Sequence, residues 1–305
     1  MTTFTRRQAL ASTLAAPALL SLTSAARAAA PMQEVTMPKF HRFKLGGFEV
    51  NTLLAGSATR DEPQSIFGQN VSAEEFASVS AENFIPTDKV QFYFTPTLVN
   101  TGSELILFDT GLNAGGITAA IAAAGYSADQ VDAVVLTHMH GDHIGGLSGD
   151  AGETFTNARY ITGQVEYDHW AGAANERFDG KVKPLAEKMS FLKGGDSVAS
   201  GVTAQEAFGH TPGHMAYRLE SGGKQLMIMA DFANHYVWSL AKPDWEVRFD
   251  MDKGAAAATR RKMLDMMSAD GIPFIGYHMP FPGIGYAQTD GDGYRYVPAS
   301  YQMLL

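Results

Sequence analysis

The 305-residue chain has no cysteine, which excludes disulfides, thiolate metal ligands and a thiol nucleophile together. Its chemistry must come from His, carboxylate, Ser, Lys or Tyr groups. Positive charge is also scarce: 23 Lys and Arg stand against 32 Asp and Glu, a formal net charge of -9. That balance argues against phosphate backbones and anionic membrane surfaces, so no nucleic-acid partner is expected. No fixed repeat, charge block or long low-complexity tract occurs, apart from the short alanine run Ala255–Ala258. The 45% of hydrophobic and 18% of charged residues are those of an ordinary globule with a sizeable core.

The N-terminal thirty residues stand outside that core. "MTTFTRRQALASTLAAPALLSLTSAARAAA" combines paired arginines, a mildly apolar run broken by Ser, Thr and Pro, and small residues before a cut expected after Ala28. It reads as a removable export signal over residues 1–28. Arg6-Arg7 before Gln8-Ala9-Leu10 resembles a twin-arginine signal, with the general secretory route as the alternative. Its polar residues weaken any stable membrane span, so no lasting membrane association is expected after cleavage. The mature chain, residues 29–305, is expected to be one catalytic domain in the periplasm or outside the cell. Cleavage removes Arg6, Arg7 and Arg27 and no acid, leaving 20 basic against 32 acidic residues.

Hydrophobic patterning gives the element order. "FHRFKLGGFEVNTLLAG" suits a hairpin about Gly46-Gly47, "VSAEEFASVSAEN" a short amphipathic helix, and "KVQFYFTPTLVNTGSELILFDTG" two strands turning at Thr101-Gly102-Ser103. A helix is expected over Ile117–Ala124, a buried strand at 131–137, a strand in "ARYITG" and a helix in "QVEYDHWAG". "VTAQEAF" reads as a strand ending near Gly209-His210, and "HMAYRLESGGKQLMIMADF" as a strand pair delivering Asp231. A helix over about 254–269 and a strand "IPFIGYH" ending at His278 complete the series.

The stretch "THMHGDHIGG" packs three of the chain's nine histidines and an aspartate into six residues. Alternate residues of an extended segment project to one side, so His138 and His140 can grip one ion. Asp142 and His143, past a turn permitted by Gly141, can face another. Gly145 and Gly146 let backbone pass close by. His210, Asp231 and His278 each fall at an expected strand end, where a rigid scaffold presents chemistry on loops.

This pattern resembles the metallo-β-lactamase-fold hydrolases, whose HxHxDH motif is followed by a distant His, an Asp and a His. The resemblance covers nearly all of the mature chain, including "DTG" at Asp109–Gly111 and "GHTPGH" at Gly209–His214. It implies an α+β, four-layer αββα sandwich with the metals at one edge. Carried over residue by residue, His138, His140 and His210 hold one ion, and Asp142, His143 and His278 the second. Asp231 bridges them. Neutral imidazoles with carboxylates suit zinc, and such sites also accept Mn, Fe or Co. Two such cations lower the pKa of a shared water toward neutrality, and Asp142 is the candidate to orient it and pass its proton to the leaving group. Asp109 is expected to fix a ligand loop from behind, and His214 to hydrogen-bond within its own loop. His41 and His169 carry no motif.

The tail "HMPFPGIGYAQTDGDGYRYVPASY" is similar to the methyl-parathion-hydrolase and lactonase branch, where "FPGIG" lines the mouth. That resemblance nominates Phe281 and Trp170 as substrate-binding residues. His235, four positions past the bridging aspartate, is a pocket candidate, as is Asn234, which occupies a position where homoserine-lactone hydrolases commonly carry tyrosine. The expected substrate is a small uncharged ester or lactone, of the acyl-homoserine-lactone or aryl-lactone class. Phosphotriester hydrolysis is the alternative, followed by β-lactam hydrolysis, an iron oxidoreductase and a non-catalytic metal-binding protein. Ile66-Phe67 is expected either to cap the pocket or to contact a second copy in a homodimer.

Overall fold

A computed structural model describes residues 30–301; the export segment and its cut after Ala28 lie outside the described residues. Residues 30–37 form an exposed segment without regular structure. From Pro38 onward, two seven-stranded sheets dominate. Edge to edge, the first contains Phe40–Leu45, Phe48–Leu53, Thr97–Asn100, Leu105–Phe108, Ala133–Leu136, Arg159–Gly163 and Met189–Leu192. The second contains Ser197–Ala199, Val202–Glu206, Met215–Ser221, Lys224–Ala230, Phe274–Gly276, Ile284–Asp290 and Gly293–Pro298.

Burial on both faces explains why the central strands read as unbroken apolar runs. In Leu105–Phe108, Ile106 and Phe108 point into the core shared with Tyr217, Leu226 and Ile275 of the second sheet. Leu105 and Leu107 point the other way, against Ile117 and Ile121 of helix Ala114–Ala123. On the outer face of the second sheet, Met227, Met229 and Phe274 pack against Met263, Leu264 and Met267 of helix Lys253–Asp270. That helix starts where the Asp252 side chain accepts from Ala255 N, and stops at left-handed Gly271. The order helix, sheet, sheet, helix is the four-layer α+β sandwich.

"KVQFYFTPTLVN" corrects the expected strand count. Thr95-Pro96 breaks it into Lys89–Phe94 and Thr97–Asn100, which belong to different sheets. Lys89–Phe94 pairs antiparallel with Gly56–Asp61 in a separate two-stranded ribbon. Ile66-Phe67 is neither a cap nor a contact surface: both are at most 1% exposed, packed with Phe76, Trp238 and Trp245 behind that ribbon. No described helix is long and apolar enough to cross a membrane.

Candidate metal centre

The candidate ligands lie on segments that follow strands, at one edge of the sandwich, with Asp142 and His143 on the short helix Gly141–Ile144. His138 follows Ala133–Leu136, Asp231 follows Lys224–Ala230, and His278 follows the short strand Phe274–Gly276. Two non-glycine residues that end strands at this edge take left-handed backbone, Asp109 after Leu105–Phe108 with φ 61° and Ala230 before Asp231 with φ 47°. Such conformations cost about 1–3 kcal/mol and persist where packing over-determines them. At Ala230 the strain coincides with a register shift between Ile228 and Ala230, which turns Asp231 toward the histidines.

The structure brings all seven candidate ligands together. His138, His140 and His210 form one group and Asp142, His143, Asp231 and His278 another, with ligand atoms within 4.8 Å of one another inside each. Asp231 Oδ2 lies between them, 3.1 Å from His278 Nε2, 3.4 Å from His143 Nε2, 3.5 Å from His210 Nε2 and 3.9 Å from His138 Nε2. One carboxylate oxygen thus faces imidazoles of both groups.

The far nitrogens are held from behind. His143 Nδ1 and Asp109 Oδ2 are 2.8 Å apart, as are His210 Nδ1 and Asp250 Oδ1. His278 Nδ1 meets the Tyr93 carbonyl at 2.8 Å, and His138 Nδ1 meets Thr137 Oγ1 at 3.0 Å. Such partners fix ring orientation and raise the basicity of the inner nitrogen. Asp109 also accepts from Thr137 N and Oγ1, which ties the "DTG" turn to the histidine loop. His214 accepts from Asp231 N through Nε2 rather than within its own loop, 3.1 Å away.

Three inner atoms settle whether the donor set fits cations. His138 Nε2, His143 Nε2 and Asp231 Oδ1 are buried with no hydrogen-bond partner, a loss of about 1–3 kcal/mol each in a folded core. Nitrogen and carboxylate donors converging on common points relieve that cost by coordination, so the residues fit two divalent ions. Charge is sharply divided within the cluster. Burial, then neighbouring His143 and His140, holds His138 well below the usual imidazole range. For His278 burial acts against protonation, yet Asp231 and Asp142 outweigh it and lift the ring to about 10. Burial also opposes ionisation of Asp142, but His143 and His278 hold it at about 2.

Sequence reasoning missed the groups that assemble this edge. Glu166, fully buried, accepts from Met139 N at 2.9 Å, Trp170 Nε1 at 2.7 Å, Thr211 Oγ1 at 2.7 Å and Gly213 N at 2.9 Å. It therefore joins the two loops that supply His138, His140 and His210. Tyr277 stacks on His143 at 4.0 Å and donates to the Asp142 carbonyl at 2.5 Å. Phe92 and Phe94 of the ribbon meet the His278 ring edge-on at 5.4 and 5.5 Å. The signals were present as one of two acids, Glu166 and Asp168, on the helix "QVEYDHWAG" and as alternating phenylalanines in "QFYF", but neither points to the site without its partners.

A cavity of about 330 Å³ opens above the ligands. Its floor is His140, Asp142, Asp231 and His278, its apolar walls are Ala58, Phe92, Phe94, Leu112 and Phe249, and Arg60 and Arg177 line it as well. A larger cleft of about 560 Å³, lined by Phe43, Lys44, Arg218 and Tyr286 among others, holds none of the ligands and has no comparable chemistry.

None of the four residues expected to bind substrate lines this cavity. Trp170 turns its indole N–H to Glu166 and presents its ring to His140 from 6.1 Å, so it lies behind a ligand. Asn234 is buried, because the chain after Asp231 runs into the core with Phe232 and Ala233. His235 stacks on Trp238 at 4.1 Å, and its Nδ1 accepts from Val237 N and Trp238 N, the work of a turn-forming side chain. Phe281 sits in a tight loop closed by Gly276 N to Gly283 O and Gly283 N to Pro280 O, away from the aromatic walls. At Gly141, where the short helix Gly141–Ile144 begins, the backbone is not left-handed, and a side chain there would put Cβ 1.8 Å from Arg177 Nη1. Gly145 and Gly146 do pass close to backbone, with Cβ positions 2.1 Å from Leu112 O and Thr110 O.

The family model of the metallo-beta-lactamase superfamily matches residues 95–269, more than half of the chain. The chain belongs to that superfamily. Among solved structures it is similar to AidC, a dizinc quorum-quenching lactonase in complex with a product, N-hexanoyl-L-homoserine. The identity is 27% and the TM-score 0.79, over 86% of this chain and 98% of that one. The uncharacterized protein YobT of Bacillus subtilis (strain 168) is 29% identical over 129 residues, 39% of this chain. The anti-Pycsar protein Apyc1 of Paenibacillus sp. (strain J14) is 37% identical over 57 residues, 19% of this chain. The matches span 54% of YobT and 22% of Apyc1. With its donor set, this superfamily member carries two groups of side chains that fit divalent ions.

Proposed function

We propose that the protein hydrolyses an ester or lactone, of the acyl-homoserine-lactone or aryl-lactone class, on a centre of two divalent ions, zinc by preference. The observation that carries this reading is Asp231 Oδ2, 3.1–3.9 Å from imidazole nitrogens of both ligand groups and beneath an aromatic-walled cavity. Likeness to AidC supports the lactone class. When bound, the ions supply Lewis acidity and bring a water's pKa toward neutrality.

The chain's own residues do the rest. The Asp142 side chain is 22% exposed and is one of the two carboxylates on the cavity floor. It accepts a hydrogen bond from the attacking water, takes its proton, and delivers that proton to the oxygen of the breaking C–O bond. Phe92, Phe94 and Phe249 hold the acyl or aryl part and exclude bulk water. Among the described residues, no side-chain hydroxyl or amide lines the cavity, Asn234 included.

The deciding experiment combines metal analysis with turnover of a p-nitrophenyl ester, a homoserine lactone and a paraoxon-like triester. Two ions per chain, with ester or lactone turnover abolished by chelation and by Asp231→Ala, supports the reading. Preference for the triester replaces it with phosphotriester hydrolysis, and a fully loaded but inert protein overturns catalysis. Export is proposed on residues 1–28 alone. N-terminal sequencing of protein from a periplasmic fraction should begin at Arg-free Ala29, and an intact N-terminus would refute it.

A further inference from the structure

The cavity above the ligands carries cations that no described carboxylate neutralises. Arg60, on the ribbon strand Gly56–Asp61, and Arg177, on the helix Glu176–Lys181, both line it. Arg248 lies 5.0 Å over the ring of Phe249, a residue of the same wall. Arg42, Arg159, Arg260 and Arg261 each pair with a carboxylate. The three around the cavity have no such partner among the described residues. Asp142 and Asp231, the acids of the same cavity, are engaged instead with His143 and His278.

Arg177 is seated rather than loosely draped. Gly141, inside the histidine motif, leaves room for it: a Cβ there would lie 1.8 Å from Nη1 and 3.0 Å from Cδ. Exposed arginines are ordinarily solvated surface groups, and all three are exposed. What sets Arg60 and Arg177 apart is that both line one aromatic-walled cavity, with Arg248 against its Phe249 wall, in a chain of net charge -9. Unpaired cations beside low-dielectric walls focus the field and raise the local concentration of anions.

We propose that these arginines select substrates bearing an anionic group, carboxylate or sulfonate, remote from the bond that is cut. The spacer lies along Phe92, Phe94 and Phe249, and the anion meets Arg60 and Arg177. This rests on the hydrolase reading and narrows it: the expected absence of charge holds for the scissile ester and not for the whole molecule.

The test compares p-nitrophenyl hydrogen glutarate with p-nitrophenyl methyl glutarate, which share a scissile bond and differ in the charge of the far end. Two partly screened charge contacts predict a kcat/KM ratio of about tenfold favouring the anion at low ionic strength. The ratio should fall toward unity in added salt and in Arg60→Gln/Arg177→Gln, while Arg60→Lys/Arg177→Lys retains part of it. Arg218→Gln, at the separate cleft, should leave the ratio unchanged. A ratio at or below unity in the unaltered enzyme, or one insensitive to the double glutamine variant, overturns the proposal. Calorimetric binding of phenylbutanesulfonate against phenylbutanamide separates this from the hydrolase reading. If neither ester turns over, tighter sulfonate binding that is lost in the glutamine variant upholds the anion site while the hydrolase reading fails. Equal binding of the two probes refutes the anion site.

Discussion

Replacing Asp250 with alanine strikes two buried groups at once. Its Oδ1 is 2.8 Å from His210 Nδ1 and its Oδ2 accepts from Arg260 Nη2 at 2.8 Å, where the Arg260 side chain is 1% exposed. Arg260 keeps its bonds to the Phe232 and Pro243 carbonyls, which accept from Nε and Nη1 but carry no charge. Asp250→Ala therefore leaves a buried guanidinium uncompensated, a cost of about 3–5 kcal/mol. In a domain of this size that lowers the melting midpoint by roughly 10 °C. Asp250→Leu/Arg260→Met removes both charges and should recover most of the stability, because a buried ion pair exchanged for apolar groups is commonly neutral. It should not recover the metal site: His210 still lacks its acceptor, and ion affinity should stay about 10–100-fold weaker. Scanning calorimetry reads the first quantity and competition with a chromophoric chelator the second. A double variant as unstable as the single one refutes the charge argument. Unchanged ion affinity refutes the orienting role of Asp250.

Three further outcomes follow from the same reasoning. Gly209 has φ 125° and an added Cβ would lie 2.2 Å from Ala256 N, so Gly209→Ala should cost roughly 2 kcal/mol or more and displace neighbouring His210. A melting curve and ion affinity equal to the unaltered protein would show that the approach is not tight. Chelation should lower the midpoint and zinc should restore it, since ions at a hundred times their Kd stabilise by about 2.7 kcal/mol; identical curves would contradict the dinuclear site. Burial opposes ionisation of Glu49, but hydrogen bonds from Tyr126 and Asn51 and the charge of Arg42 outweigh it and lower its pKa. A depressed carboxylate stabilises above its unfolded pKa and loses that contribution as pH falls through the folded value. Glu49→Gln should thus flatten the acid side of the stability profile below about pH 4.5; an unchanged slope in denaturant titrations would exclude Glu49 as its source.

Local pattern made the metal ligands legible. His138, His140, Asp142 and His143 sit within six residues after a buried strand, and His210, Asp231 and His278 each follow an expected strand. Strand ends are where alternation stops, and alternation is a property of neighbours in the chain. The cavity walls were not legible, because Phe92, Phe249 and Arg177 come from segments far apart in sequence. Trp170 and His235 lie close in sequence to site residues, but their rings face Glu166 and Trp238 instead of the cavity. The direction a side chain faces depends on the element packed against it.

Sequence alone determined that this chain would gather imidazole and carboxylate donors without thiol chemistry, since residue type and short-range spacing decide which atoms can coordinate. Tertiary structure decided that Asp231 stands between the two histidine groups, that Glu166 ties their loops and that Arg60 and Arg177 line the cavity without a carboxylate partner among the described residues. Those are relations across long chain separations, and they exist only once the two sheets have closed over a common core.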